Sequence, residues 1–187
     1  GSEMCIRDSV YSATKNSMQS ALMAPTEVLA EQHYKTFLKL FEGCGIKVER
    51  LTGSDTAAQK RRKKEALRAG DIDLLIGTHA IIQSDVEFKS LALVITDEQH
   101  RFGVEQRNAL GEKGKNPHLY VMSATPIPRT LALILYGDLD VSIVDELPPG
   151  RTPVKTRVVP EEKRAGMYGF LRQEVLKGHQ AYVVCPL

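Results

Sequence analysis

Four short apolar runs that do not alternate with polar residues constrain this chain more than any other feature: Ala21-Leu22-Met23, Leu74-Leu75-Ile76, Leu91-Ala92-Leu93-Val94-Ile95 and Leu119-Tyr120-Val121-Met122. A strand apolar on both faces belongs inside a sheet covered on both sides, which is the habit of parallel sheets. Weaker candidates of the same kind stand at 47–51 and 141–144. Helical stretches separate many of these runs. The first is predicted from Thr26 as N-cap to about Phe41, with Ala30, Tyr34, Phe37, Leu38 and Phe41 on one face and Gly43 as the stop. Thr56 and Gln59 stand in capping-box register and open a second helix that runs to Ala69 and ends at Gly70. A third is predicted over 126–136, closed by Gly137. Parallel neighbours need a covering right-handed crossover, so the expected fold is an open, three-layer α/β sheet.

The chain has 187 residues, enough for one full core and the start of a second domain. Hydrophobic residues at 42% and charged residues at 26% describe an ordinary globular composition, with no apolar run long enough to cross a membrane, and a soluble protein is expected. A net charge of +2 is too mild to select a nucleic-acid partner by itself. Cys5, Cys44 and Cys185 are odd in number and never at metal-ligand spacing, which fits free thiols in the cytoplasm. Residues 1–9 (GSEMCIRDS) show no periodicity and lack a secretory signal's apolar core. They look like foreign, adapter-derived sequence joined to a natural frame near Val10, and are expected to stand outside the fold. The first domain is then 10–146. Leu147-Pro148-Pro149-Gly150-Arg151-Thr152-Pro153 is a linker by composition. Residues 154–187 hold a strand at 154–159, a helix at 161–177 and a strand at 181–185, too few elements to close a core, so a truncated second domain is expected.

Ligands of open parallel sheets bind beyond the carboxyl ends of the strands. Those ends share a character here. Ala24 is followed by Pro25-Thr26-Glu27, Ile76 by Gly77-Thr78-His79, Ile95 by Thr96-Asp97-Glu98-Gln99-His100, and Met122 by Ser123-Ala124-Thr125. Two adjacent carboxylates at the end of a buried strand are costly to desolvate without a compensating cation, and magnesium is the usual one in nucleotide sites. Asp97 is suited to hold that ion, and Glu98 to accept the proton of a water attacking a terminal phosphate. Taken alone, the pair reads more readily as the start of a solvated loop. Lys60-Arg61-Arg62-Lys63-Lys64 wraps around its helix and is expected to be solvated surface. The five histidines are scattered, which argues against zinc, and Ser123 has no visible triad partners.

The conjunction of Asp97-Glu98-Gln99-His100 with Ser123-Ala124-Thr125 resembles superfamily 2 helicases. Within them, the segments MAPTEVLAEQHY, DEQHRFGVEQR, MSATPIPRTLAL and DELPPGRTPVKT resemble the RecG family of DNA helicases from about Val10 onward. The resemblance implies a RecA-like parallel sheet as first motor domain, missing its first strand and phosphate loop, followed by the truncated start of a second RecA-like domain. It implies ATP and Mg2+ as cofactors, and branched or forked DNA, met in repair and recombination, as partner. Asp97 would bind magnesium and Glu98 activate water. Gln99, His100, Ser123, Ala124 and Thr125 would couple nucleotide to DNA, and Pro25, Thr26, Glu27, Thr52, Gly53, Gly77, Thr78 and His79 would face DNA. The phosphate loop G-x-x-x-x-G-K-[ST] is absent: Gly114-Lys115 is followed by Asn116, and Ala109 stands where the first glycine belongs. The chain alone is therefore expected to hydrolyse ATP negligibly. Two alternatives remain open: a segment of the transcription-repair coupling translocase, which shares TPIPRT and RFGV, and a non-catalytic module that docks on DNA or protein.

Overall fold

The computed structural model describes residues 2–97, 109–123, 140, 142 and 154–185. The chain divides into two units, Gly1–Val144 and Asp145–Leu187. In the first, α1 (Ser2–Lys15), β1 (Gln19–Met23), α2 (Glu27–Leu40), β2 (Val48–Leu51), α3 (Ala57–Ala69), β3 (Leu74–Gly77), β4 (Leu91–Thr96) and β5 (His118–Val121) follow in order, with a 3-10 turn at His79–Ile82. The second contains α4 (Arg164–Leu176).

All four ladders are parallel, and the strand order is β2-β3-β1-β4-β5. Each face of the sheet carries its own apolar cluster. Ile6 and Val10 of α1 and Ala30 and Phe37 of α2 pack with Leu22, Leu74, Ile76 and Ile95 on one side. Leu67 of α3, Ile81, Val86 and Leu110 pack with Ala21, Met23, Leu75 and Val94 on the other. This is the expected three-layer α/β arrangement. It explains why β1 and β3 read as unbroken apolar runs, since all their residues are buried. At the amino end of β1 the buried Gln19 meets its own hydrogen-bonding needs. Its Nε2 donates to Leu67 O and Ile72 O at 3.0 and 2.8 Å, and its Oε1 accepts from Ser90 N at 3.0 Å.

Both predicted helix starts are present. The Thr26 hydroxyl accepts from Leu29 N, and Thr56 and Gln59 form a reciprocal capping box at the start of α3. Gly70 ends α3 at φ +87°, in the left-handed region. Replacing Thr56 by alanine should remove the bond its hydroxyl accepts from Gln59 N, leave the reciprocal bond from the residue-56 amide to Gln59 Oε1, and lower stability by about 1 kcal/mol, read as a reduced urea midpoint at unchanged slope.

Four expectations need correction. Residues 2–9 are not outside the fold: they are the first half of α1, and Ile6, 1% exposed, packs in the core with Val10 one turn later. Leu38 is 43% exposed, because the buried stripe of α2 runs through Ala30 and Phe37 and leaves the next position turned away. Lys63 in the basic run is buried rather than solvated. The segments expected as strands at 154–159 and 181–185 are not strands. Val154, Val158, Tyr182 and Val184 there are largely exposed, so the backbone has found no ladder to join. The helix predicted at 126–136 lies outside the described residues, as does the linker at 147–153 and, except for residue 142, the strand at 141–144.

Candidate nucleotide and nucleic-acid site

The ladders finish in register. Leu51 pairs with Gly77, Gly77 with Met23, Met23 with Thr96, and Thr96 with Val121. The residues that leave the sheet next, Thr52, Thr78, Ala24, Asp97 and Met122, therefore emerge on one rim. Backbone bonds extend the order one residue further: Ala24 N to Gly77 O at 2.8 Å, Asp97 N to Met23 O at 3.0 Å and Met122 N to Thr96 O at 2.9 Å. Asp97 and Ser123 thus leave adjacent parallel strands on the same side. Glu98, Gln99, His100, Ala124 and Thr125 lie outside the described residues.

Asp97 is more constrained than its sequence position indicates. His33 Nε2 stands 2.7 Å from Asp97 Oδ2, with the two side chains 13% and 19% exposed. His33 was not singled out from the sequence, since 64 residues separate the partners and nothing in the helical pattern marks a polar contact of that range.

The loop between β2 and α3 is held from three sides. Asp55 Oδ2 accepts from Thr52 N at 2.9 Å, and the Thr52 and Ser54 hydroxyls are 3.0 Å apart. Glu27 Oε1, in the first turn of α2, accepts from Ser54 N at 3.1 Å. The Lys60 ammonium donates to Gly53 O at 2.7 Å. Beneath the loop the Lys63 ammonium pairs with Asp55 at 2.9 Å and donates to Arg50 O. Burial alone would raise the Asp55 carboxyl, but the Thr52 amide and the Lys63 ammonium outweigh it and hold it below its ordinary value.

Of the eight positions expected to face DNA, Thr26, Glu27, Gly53 and His79 are exposed and Pro25 is half-buried. Thr52, Gly77 and Thr78 are buried. A buried hydroxyl or a glycine inside a ladder acts on a ligand by shaping the backbone around it. An anionic Glu27 already bonded to Ser54 is better suited to tying the two turns together than to meeting phosphate.

Among the described residues no three His, Cys, Asp or Glu side chains are grouped as a metal cage. Magnesium in nucleotide sites takes one or two carboxylates and fills its octahedron with phosphate and water. Asp97 offers a hard oxygen donor of this kind at the rim.

The profile of the DEAD/DEAH box helicase family matches residues 3–134. The chain belongs to that family. This helicase chain is 54% identical over 169 residues to the ATP-dependent DNA helicase RecG of Thermotoga maritima, covering 90% of the chain and 22% of that relative. It is 49% identical over 178 residues to the RecG of Bacillus subtilis, covering 95% and 26%. Among solved structures, that of RecG bound to a three-way DNA junction superposes with a TM-score of 0.82 at 48% identity, covering 97% of the helicase chain and 24% of that one. The helicase chain thus spans about a quarter of the length of these relatives. The parallel sheet with its order β2-β3-β1-β4-β5 is the RecA-like helicase fold. No helix among the described residues is long and apolar enough to cross a membrane.

Proposed function

We propose that this segment is part of the motor of a RecG-type, ATP-driven DNA helicase that remodels branched DNA, including stalled forks, in repair and recombination. The observation that carries this reading is the single rim on which the turns assigned to DNA, Asp97 and Ser123 all leave the sheet. The similarity to a RecG bound to a three-way junction supports branched DNA as the substrate class.

Within this reading Asp97 would hold Mg2+ and His33 would keep its carboxylate in place; the ion would supply Lewis-acid stabilisation of phosphate charge. Glu98 would take the proton of the attacking water. Thr26 and the free amides at the start of α2 meet a DNA phosphate, as helix N-termini do, with Pro25 and Glu27 shaping that turn. Gly53 and His79 add exposed groups on the same rim, and Thr52, Gly77 and Thr78 set the backbone beneath them. Gln99, His100, Ser123, Ala124 and Thr125 pass the state of the nucleotide to the DNA and back. The three cysteines, all exposed and unpaired, suit a reducing compartment, and we place the protein in the cytoplasm.

The test is ATP hydrolysis by the full-length protein with Mg2+, with and without a three-way junction. Junction-stimulated turnover is expected; turnover indifferent to any DNA would overturn the reading. The 187-residue chain alone, whose sequence contains no phosphate-gripping loop, is expected to turn over negligibly.

A further inference from the structure

We propose that His33 is a positioning residue for Asp97, and that α2 is a rigid link between this carboxylate and the turn that docks the DNA backbone. The inference rests on the reading of Asp97 as the magnesium-binding residue.

Three observations converge. First, the His33–Asp97 contact at 2.7 Å joins two side chains that are both largely withdrawn from solvent, so water competes weakly for either. With Oδ2 engaged by the imidazole, Oδ1 is the oxygen left for an ion or its water shell. Second, the imidazole is braced by its own helix. Phe37, one turn on, lies 6.4 Å from it between ring centroids and is fully buried, and Phe37 stacks on Phe41 at 5.9 Å. The ring that holds Asp97 is therefore anchored in the apolar core. Third, the same helix begins at the candidate DNA turn. Thr26 caps it, and Glu27 clasps the Ser54 amide of the neighbouring loop. The seven steps from Thr26 to His33 span about 10 Å of helix axis. Glu31, within that span, ties the helix to the sheet by pairing with Arg50 of β2.

A displacement of the capped end by DNA thus reaches the Asp97 carboxylate without passing through a loop. Groups that hydrogen-bond a metal-binding side chain fix its orientation, and their loss typically weakens metal binding or activity by about 10- to 100-fold.

The experiment uses the full-length protein with His33→Leu, which removes the ring N–H, and His33→Gln, whose amide reaches a similar distance. His33→Leu is expected to raise the Mg2+ concentration for half-maximal ATP hydrolysis about tenfold, while His33→Gln stays within about threefold of wild type. A readout without turnover accompanies it: Mn2+ binding, followed by paramagnetic resonance with a non-hydrolysable ATP analogue, should weaken in the same order. Should His33→Leu fail to fold, His33→Asn replaces it, since its amide is one methylene too short to reach Asp97. Unaltered Mg2+ and Mn2+ dependence in a folded Leu or Asn variant overturns the role of His33, whether or not thermal stability falls. Wild-type protein lacking junction-stimulated hydrolysis would instead refute the proposed function, and the Mn2+ titration would still decide the role of His33.

Discussion

Gly77→Ala is expected to destabilise the first unit by about 3 kcal/mol, a large share of the 5–15 kcal/mol that holds a typical domain together. A Cβ built on Gly77 falls 2.2 Å from Leu51 O and 2.5 Å from the Ile81 side chain. The first of these atoms belongs to the neighbouring strand's backbone, with which Gly77 is paired in the ladder, so no rotamer change relieves the contact. Either β2 and β3 separate at the rim or the 3-10 turn carrying Ile81 shifts away. Both would disturb Thr52 and Thr78 together, because these follow Leu51 and Gly77 directly. Equilibrium urea unfolding should show a lower midpoint at unchanged slope. A midpoint equal to wild type would mean that the rim is far more compliant than its packing indicates.

The second large effect is expected at Lys63. Its side chain and that of Asp55 are 10% and 5% exposed, and the ammonium also reaches Arg50 O and lies 3.6 Å from Glu49. Lys63→Ala leaves a buried carboxylate with the Thr52 amide and the more distant Arg50 charge, and removing one partner of such a pair costs about 3–5 kcal/mol. The effect should depend on pH with a defined sign. The Asp55 carboxyl is held below its ordinary value, so its contribution to wild-type stability is complete above that value and is lost as pH falls through the lower native one. Below that point the Asp55 carboxyl is neutral, the pair no longer exists as an ion pair, and the difference between wild type and Lys63→Ala should narrow. Denaturation at neutral pH and at about pH 3 reads both halves of the expectation. A penalty for Lys63→Ala that does not diminish in acid would assign it to lost packing of the lysine stem.

How much of this was legible depended on the range over which each feature is encoded. The strands at 21–23, 74–76 and 91–95 were readable because burial on both faces writes itself as an uninterrupted apolar run; 119–122 reads the same way, yet as an edge strand it is only partly covered, with Leu119 exposed. The caps at Thr26 and Thr56 were readable because donor and acceptor lie three residues apart. The shared rim followed from parallel topology, and the registers place the four expected strand ends along it. What escaped was polar and long-range. Lys63 sits among five basic residues, and charge alone does not tell which of them meets Asp55 across a turn. His33 looked like one more polar position on α2, and only the folded sheet brings Asp97, just past the end of β4, to it. The opening residues were set aside for want of periodicity, yet Ile6 and Val10, four apart, were enough to seat a helix. The reverse error came at 154–159 and 181–185, where strand-like composition has no neighbouring strand to satisfy it.

The alignment of the candidate-site turns on one rim leaves the opposite rim available to the experimenter. Cys44 is exposed in the turn that precedes β2, and the four residues of that strand span about 13 Å before Thr52 is reached. A fluorophore attached at its thiol would sit before the amino end of β2, away from the candidate turns. It would give a fixed reference point from which movements of the working edge could be measured as changes in distance.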